Sequence, residues 1–288
     1  MIVVTGASGT VGTGVVKRLA ERGERVRAVS RHPSAQGQGP GADAGGLVEW
    51  AAGDLDDSRT LAGLADGASA IFLLTTGQQG PAQSRNVLAE AERAGTGLIV
   101  SISALSAGHG ARDPISTWHR AAEAVLEAGS VPWCVLRPGG FMSNTALYWA
   151  GSVKYAGTVY APFGSGRAAI IDPGDISECA VRCLLDPGHA GRTHELTGPQ
   201  ALSNGEQVQI IGHAIGRDLT YVDVPPGTAK EAMTDRGMPA DAADAVLGTL
   251  AAANADFASM VTGDVEAITG HPATSFSEWV AANAAAFR

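Results

Sequence analysis

Cysteine is scarce in this chain. Its three copies, Cys134, Cys179 and Cys183, form no Cys-x-x-Cys pair. An odd count without that spacing points away from a disulfide framework and from a zinc-ribbon pattern. Cys179 and Cys183 lie four apart, which stacks them on one helix face, more often as small core residues than as a site. No run of about 18 apolar residues is present, so no membrane helix is expected. The opening Met1-Ile2-Val3-Val4-Thr5-Gly6 shows no basic region, apolar span or cleavage site of a secretory signal. Positive charge is also short: 20 Lys and Arg face 29 Asp and Glu, a net charge of −9. Such a surface repels phosphate backbones and anionic bilayers, which argues against nucleic-acid and membrane partners. Aromatic residues are few, at 5%, yet the hydrophobic fraction of 45% excludes a disordered chain. A chain of 288 residues can bury a large core without disulfide or metal. A reduced, cytoplasmic protein is the expectation.

What the chain does have is alternation. Ile2 to Val4, Val26 to Val29, Leu47 to Trp50, Ala70 to Leu74, Leu98 to Ile102 and Trp133 to Leu136 are short and apolar, as buried parallel strands should be. Val11, Val15 and Leu19 recur every four residues, and Gly23 stops that helix. Further helices are expected near 58–65, 82–94 and 115–128. In the last, Ile115, Trp118, Ala122, Val125 and Leu126 share one face. Strand-helix repetition of this kind implies an α/β fold, a Rossmann-like doubly wound parallel sheet with helices on both sides. Pro33 to Gly46 breaks the pattern and reads as a glycine-rich surface loop, either a tolerated insertion or a flap over a cofactor edge. After residue 140 the alternation decays. Short strands are expected at Ile170-Ile171-Asp172, at His194 to Thr197 and at Leu219 to Val224. Helices are expected at Ile176 to Leu185, after the capping Ser203, and through the alanine-rich stretch from Ala229 to Ala255, broken at Gly237-Met238-Pro239. The expected division is a dinucleotide-binding part at 1–145 and a smaller C-terminal α/β substrate lobe at 146–288, packed on it rather than independent.

The most specific feature is Thr5-Gly6-Ala7-Ser8-Gly9-Thr10-Val11-Gly12, set between the first strand and the first helix. Gly6 can make a tight turn, Gly9 lets backbone approach a diphosphate, and Gly12 lets the helix sit close to the sheet. Ser8, Thr10 and Val11 complete a loop whose diphosphate would rest on the helix N-terminus. The residue ending the second strand selects the dinucleotide. An acidic residue there would hold the ribose of NAD, but Ser30-Arg31-His32 offers none. The Arg31 guanidinium complements a 2′-phosphate in charge and geometry, so NADP(H) is the expected cofactor, the alternative being a solvated arginine at a strand end.

The Gly-x-x-Gly-x-x-Gly spacing resembles the short-chain dehydrogenase/reductase superfamily in its extended and atypical branches. Leu136-Arg137-Pro138-Gly139-Gly140-Phe141-Met142-Ser143-Asn144 and Gly270-His271-Pro272-Ala273-Thr274-Ser275-Phe276 resemble stretches of the NmrA-like atypical reductases. That likeness covers nearly the whole chain. It is near the NAD(P)H quinone oxidoreductase and triphenylmethane reductase group, and near the redox-sensing regulators named after nitrogen metabolite repression. The resemblance implies roles by position. Asp54 and Leu55 would meet the adenine, Thr75 and Thr76 would line the adenine ribose, and Pro138 and Gly139 would join the cofactor site.

Conventional members place a Ser after the fifth strand and a Tyr-x-x-x-Lys pair on the next helix, where Tyr is the general acid. Ser103 is in place. The helix carries Trp118-His119-Arg120-Ala121-Ala122-Glu123 instead, and the four tyrosines (Tyr148, Tyr155, Tyr160, Tyr221) lie elsewhere. Alcohol dehydrogenation is therefore in doubt. A quinone-like or conjugated aromatic acceptor contains its own electron sink, so hydride delivery is the main event. His119 could protonate or orient such an acceptor, or it could be a surface histidine with local hydrogen bonds. Phe141, Met142, Asn144, Tyr148 and Trp149 could form a flat apolar lid beyond the sixth strand, or ordinary interlobe core. No HExxH or paired-ligand spacing suggests a metal, and Gly164-Ser165-Gly166 is no nucleophile elbow. The leading expectation is an NADPH-dependent reductase with a small aromatic substrate, and a homodimer is compatible with it. A non-catalytic dinucleotide sensor and a tailoring ketone or enone reductase share the same features.

Overall fold

The structure is a computed structural model that describes residues 1–33, 45–110, 113–235, 237–252 and 255–288. Most of the glycine-rich loop expected at Pro33 to Gly46 lies outside the described residues. The elements in order are β1 (Ile2–Val4), α1 (Thr10–Glu21), β2 (Val26–Ser30), β3 (Val48–Ala52), β4 (Ala70–Leu74), α2 (Gly80–Ala94), β5 (Leu98–Ile102), α3 (Leu105–Gly108), α4 (Pro114–Glu127) and β6 (Trp133–Pro138). There follow α5 (Ser143–Ala156), β7 (Thr158–Ala161), β8 (Arg167–Ala168), α6 (Pro173–Leu185), β9 (Arg192–Leu196), β10 (Leu202–Ser203), α7 (Asn204–Ile215) and β11 (Thr220–Asp223). The chain ends with α8 (Pro226–Asp235), α9 (Ala240–Ala252), α10 (Asp264–Thr269) and α11 (Phe276–Ala282). Among the described residues no helix is long and apolar enough to cross a membrane.

Seven strands form one parallel sheet in the order β3-β2-β1-β4-β5-β6-β9. Successive side chains of a strand point to opposite faces, so both faces of a central strand must be covered. Val4, Phe72, Val100 and Leu136 meet Val15 and Leu19 of α1 and Cys179 of α6 on one face. Val3, Ile71, Leu73 and Ile99 meet Val87 of α2 and Leu126 of α4 on the other. Each such side chain contributes about 1.5–3 kcal/mol on burial. This is the expected Rossmann-like fold. Its strand order reverses between β1 and β4, the position at which such sheets bind ligands.

A third apolar cluster, built from Val153, Ile211, Phe276, Trp279 and Phe287, belongs to the C-terminal elements. Two small strand pairs accompany it, β7 with β11 in parallel and β8 with β10 antiparallel. β9 and α6 lie after residue 145 in the chain, yet β9 extends the main sheet beside β6 and α6 packs on α1.

Two local expectations need correction. The helix expected near 58–65 is a short 3-10 turn, Ser58–Leu61, followed by Gly63 and Gly67 at φ +81° and +69°. Left-handed glycines at that spacing end any helix. Ile170-Ile171-Asp172 is a single bridge from Ile171 to Phe141 rather than a strand. Asp172 instead caps α6, accepting a hydrogen bond from the Gly174 N–H at 2.9 Å.

Candidate active site

Because the seven strands run parallel, their carboxyl ends share one edge, and most of the expected site residues gather there. β1 is followed by Thr5, whose hydroxyl donates to the Phe72 carbonyl at 3.1 Å and accepts from the Leu74 N–H at 2.9 Å. That pins β1 to β4 where the strand order reverses. Gly6 follows at φ +59°, a left-handed conformation that suits glycine, and its carbonyl accepts the Gly9 N–H at 2.9 Å. A Cβ on Gly12 would fall 2.1 Å from the Gly6 carbonyl oxygen, so backbone touches backbone there. Gly9 is the N-cap of α1 in extended conformation, with no side chain capping the helix. The first-turn N–H groups are thus left to a ligand, and an anion is the ligand they favour. Ser8 and Thr10 are exposed on the rim, whereas the Val11 side chain is buried core that leaves only its backbone for contact.

Arg31 is exposed directly after β2, and Ser30 Oγ lies 3.5 Å from Ser8 Oγ. Asp54 and Leu55 are half-buried after β3, and Asp54 Oδ1 accepts from the Asp56 N–H at 3.1 Å. Thr75 is buried and Thr76 exposed after β4. Two residues of α2 that sequence reading missed join these loops. The buried Gln83 accepts from the Thr76 N–H at 2.8 Å and donates to Asp56 Oδ1 at 2.9 Å. Asn86 donates to the Leu55 carbonyl at 2.8 Å. Their signal was available: amide side chains on the buried face of a helix must find partners.

At the ends of β5 and β6 the chemistry changes. Ser103 is buried and donates to Glu123 Oε1 at 2.5 Å. The same carboxylate receives Arg137 Nε at 2.9 Å and Arg137 Nη2 at 2.7 Å, and Arg120 Nη1 at 2.5 Å. Burial pushes the Glu123 carboxyl up, but hydrogen bonds from Arg137, Ser103 and Arg120 outweigh it and hold the group below its ordinary value. Glu123 is therefore an ionised, fully engaged anchor. Ser103 spends its proton on that anchor and has no tyrosine beside it on α4. His119 sits half-buried one turn before Glu123. Burial lowers its pKa, against the opposing charges of Glu123 and Asp113, so the ring is neutral at neutral pH. It can offer one donor and one acceptor.

Pro138 is buried at the end of β6, and the Gly139 N–H donates to the Leu196 carbonyl at 2.9 Å. Phe141 is half-buried and bridged to Ile171. Asn144 is half-buried on α5, and Tyr148, one turn on, is 48% exposed. Phe141 thus sits at the sheet edge, with Tyr148 further out on the same connection, whereas Met142 is buried in the C-terminal apolar cluster and Trp149 packs against it, so these two belong to the core and not to a lid.

A family described as NAD(P)H-binding matches residues 6–187, the span from the phosphate loop through α6. The chain belongs to this NAD(P)H-binding family. It is 35% identical to the NAD(P)H azoreductase of Xenophilus azovorans, over 100% of this chain and 99% of that one. It is 34% identical to a (4-alkanoyl-5-oxo-2,5-dihydrofuran-3-yl)methyl phosphate reductase of Streptomyces griseus, again over 100% and 99%. Among solved structures, an NADPH-dependent quinone oxidoreductase of Escherichia coli complexed with NADPH superposes with a TM-score of 0.88 at 25% identity. That match covers 98% of this chain and 99% of the other. Family membership fits the glycine cradle and the uncapped α1.

Proposed function

We propose that this protein is an NADPH-dependent reductase that delivers hydride to a quinone-like or similarly conjugated aromatic acceptor. The observation that carries the reading is the engagement of Ser103 by Glu123 at 2.5 Å, on a site whose α4 has no tyrosine. An acceptor with its own electron sink suits such a site better than a carbinol, which needs a strong proton relay. The azoreductase likeness along the full chain supports it.

When bound, NADPH supplies the hydride, and a proton from water completes the reduced acceptor. The Gly6–Gly12 loop, with Ser8, Gly9, Thr10 and the Val11 backbone, holds the diphosphate on the N-terminus of α1. Arg31 meets the 2′-phosphate, Asp54 and Leu55 the adenine, and Thr75 and Thr76 the adenine ribose. Pro138 and Gly139 bound the reacting end. Phe141, Asn144 and Tyr148 hold the flat acceptor and exclude water, and neutral His119 orients it. Ser103 positions the edge through Glu123. The dinucleotide part, 1–145, and the substrate lobe, 146–288, divide the work, with α6 and β9 returned to the sheet.

The Streptomyces relative favours a second reading, reduction of an alkanoyl-oxo-dihydrofuran or related enone. NADPH absorbance decay with quinones, azo dyes and furanone enones separates them. Turnover of quinones or azo dyes supports the first reading, and turnover of enones alone moves the assignment to the second. Tight NADPH binding without turnover of any acceptor identifies a dinucleotide sensor.

A further inference from the structure

Three residues distant in sequence meet beneath α6. Cys134 lies on β6, Cys183 near the end of α6 and His194 on β9. β6 and β9 pair with Cys134 beside Arg192 and Leu136 beside His194. Cys134 and His194 therefore point to the same face of the sheet, the face that α6 covers. One donor atom from each, two Sγ and one ring nitrogen, all lie within 4.8 Å of one another. Both cysteines are buried, while the His194 side chain keeps 12% exposure. Tetrahedral zinc holds sulfur at about 2.3 Å and imidazole nitrogen at about 2.0–2.1 Å, spacing its donors by roughly 3.5–3.8 Å. The 4.8 Å limit on the triangle means that small side-chain adjustments bring the donors to that spacing.

We propose that Cys134, Cys183 and His194 form a binding site for a thiophilic divalent cation, zinc(II), with water in the fourth position. Two thiolates neutralise the ion, so the buried site carries no net charge. His194 has the outer partner that a ligating imidazole uses: His189 Nδ1 lies 3.0 Å from His194 Nε2, which leaves Nδ1 for the ion. A cleft of about 430 Å³ bounded by His189, Arg192, His194, Asp264 and Ile268 brings solvent to the His194 ring. Cys179, one turn earlier on α6, stands outside the cluster. The site lies toward the start of β6, away from the carboxyl edge. Its work is to tie β6, β9 and α6 together, and it is independent of hydride transfer. No spacing in the sequence announces it, because the three donors come from two strands and a helix.

The test uses the full chain without an affinity tag, stripped by chelator and kept reduced. Zinc is titrated against a chromophoric chelator, and cobalt(II) serves as a spectroscopic substitute. The expected result is one zinc per chain and a tetrahedral cobalt spectrum with a thiolate-to-metal charge-transfer band. Cys134→Ser and Cys183→Ser should abolish that band, His189→Ala should weaken affinity about 10–100-fold, and His271→Ala should change nothing. Zinc should also raise the melting temperature of the parent. A serine in the core can unfold the chain, so the parent decides first: no charge-transfer band in folded parent protein overturns the proposal. Unchanged zinc affinity in a folded Cys183→Ala variant overturns it too. So does a Cys134–Cys183 disulfide in the isolated protein whose reduction restores no zinc uptake.

Discussion

On the β1 side of the strand-order reversal the site is made of backbone; on the β5–β6 side it is made of buried charge. Around Gly6 and Gly12 the decisive contact is a Cβ that would sit 2.1 Å from a carbonyl oxygen, and no ionisable group takes part. Around Ser103 a carboxylate that is 2% exposed receives two arginines and a hydroxyl. The two constructions have different tolerances. A backbone cradle fails when atoms are added, because there is no room. A buried charge network fails when atoms are removed, because the remaining charges lose their partners. Cofactor binding and acceptor chemistry should therefore respond to different classes of substitution.

The largest effect is expected from Glu123→Ala. It strands Arg137, whose side chain is 15% exposed, and leaves Ser103 without its acceptor. Breaking a buried pair by removing one partner costs about 3–5 kcal/mol, to be read from urea unfolding of parent and variant. A loss under about 1 kcal/mol would show that the network is not what holds the β5–β6 edge together. Next comes the cradle. Gly12→Ala should cost about 1–3 kcal/mol through overpacking and abolish tight dinucleotide binding. Gly9→Val should differ in kind, since the nearest atom to its Cβ is the Gly6 oxygen at 3.3 Å. That variant should fold but lose NADPH affinity in calorimetry. Unchanged affinity in folded Gly9→Val would remove the diphosphate from this loop.

The same contrast explains what was legible in the sequence. β4 and β5 begin and end where their apolar runs do, and the phosphate loop is readable because three glycines at fixed spacing encode a local turn. The Glu123 network joins residues 14 and 20 positions apart, so neither Glu123 nor Arg137 announces its partner. Arg137 lies inside the stretch that carried the family resemblance, yet its role emerges only when β6 is paired with β5. β9 was expected only in part, as a short strand from His194 to Thr197, and its start at Arg192 and its place beside β6 were hidden for a related reason. Arg192-Thr193-His194-Glu195-Leu196 is an edge strand with mostly polar side chains, so it lacks the apolar run that marks the inner strands. Its pairing partner β6 lies across the whole of α5 and α6. The short turn at Ser58–Leu61 fails in the opposite direction, because two downstream glycines override a helical pattern.

Arg31→Ala tests specificity inside the backbone half. Arg31 is exposed and directly follows the second strand, without a carboxylate nearby in sequence. A charge-assisted contact contributes about 1.5–3 kcal/mol, so the variant should lose at least about tenfold in NADPH affinity and little in NADH affinity. Equal affinities for the two dinucleotides in the parent would remove the basis for this role.

The smallest effect concerns His119 and sharpens the other half of the comparison. Burial lowers the His119 pKa in the folded protein, while the unfolded ring titrates near about 6.5. Between those values the unfolded chain binds more protons than the folded one. Stability must then rise with pH, and the contribution of neutral His119 is present above about 6.5 and lost as pH falls toward the folded value. His119→Gln, which cannot titrate, should flatten the part of the stability-pH curve just below 6.5 relative to the parent. In catalysis the neutral ring contributes orientation more than acid strength. His119→Ala should therefore reduce kcat at neutral pH by no more than the ~10²-fold low end of general acid catalysis. Phe141→Ala should instead act mainly through KM, as the loss of a stacking surface does. Steady-state kinetics across pH 5 to 9 on a quinone or azo acceptor measure both. Complete loss of activity in a folded His119→Ala variant that still binds NADPH would make this residue the essential acid. The charge-network half of the site would then hold the proton relay that the Ser103–Glu123 contact argues against.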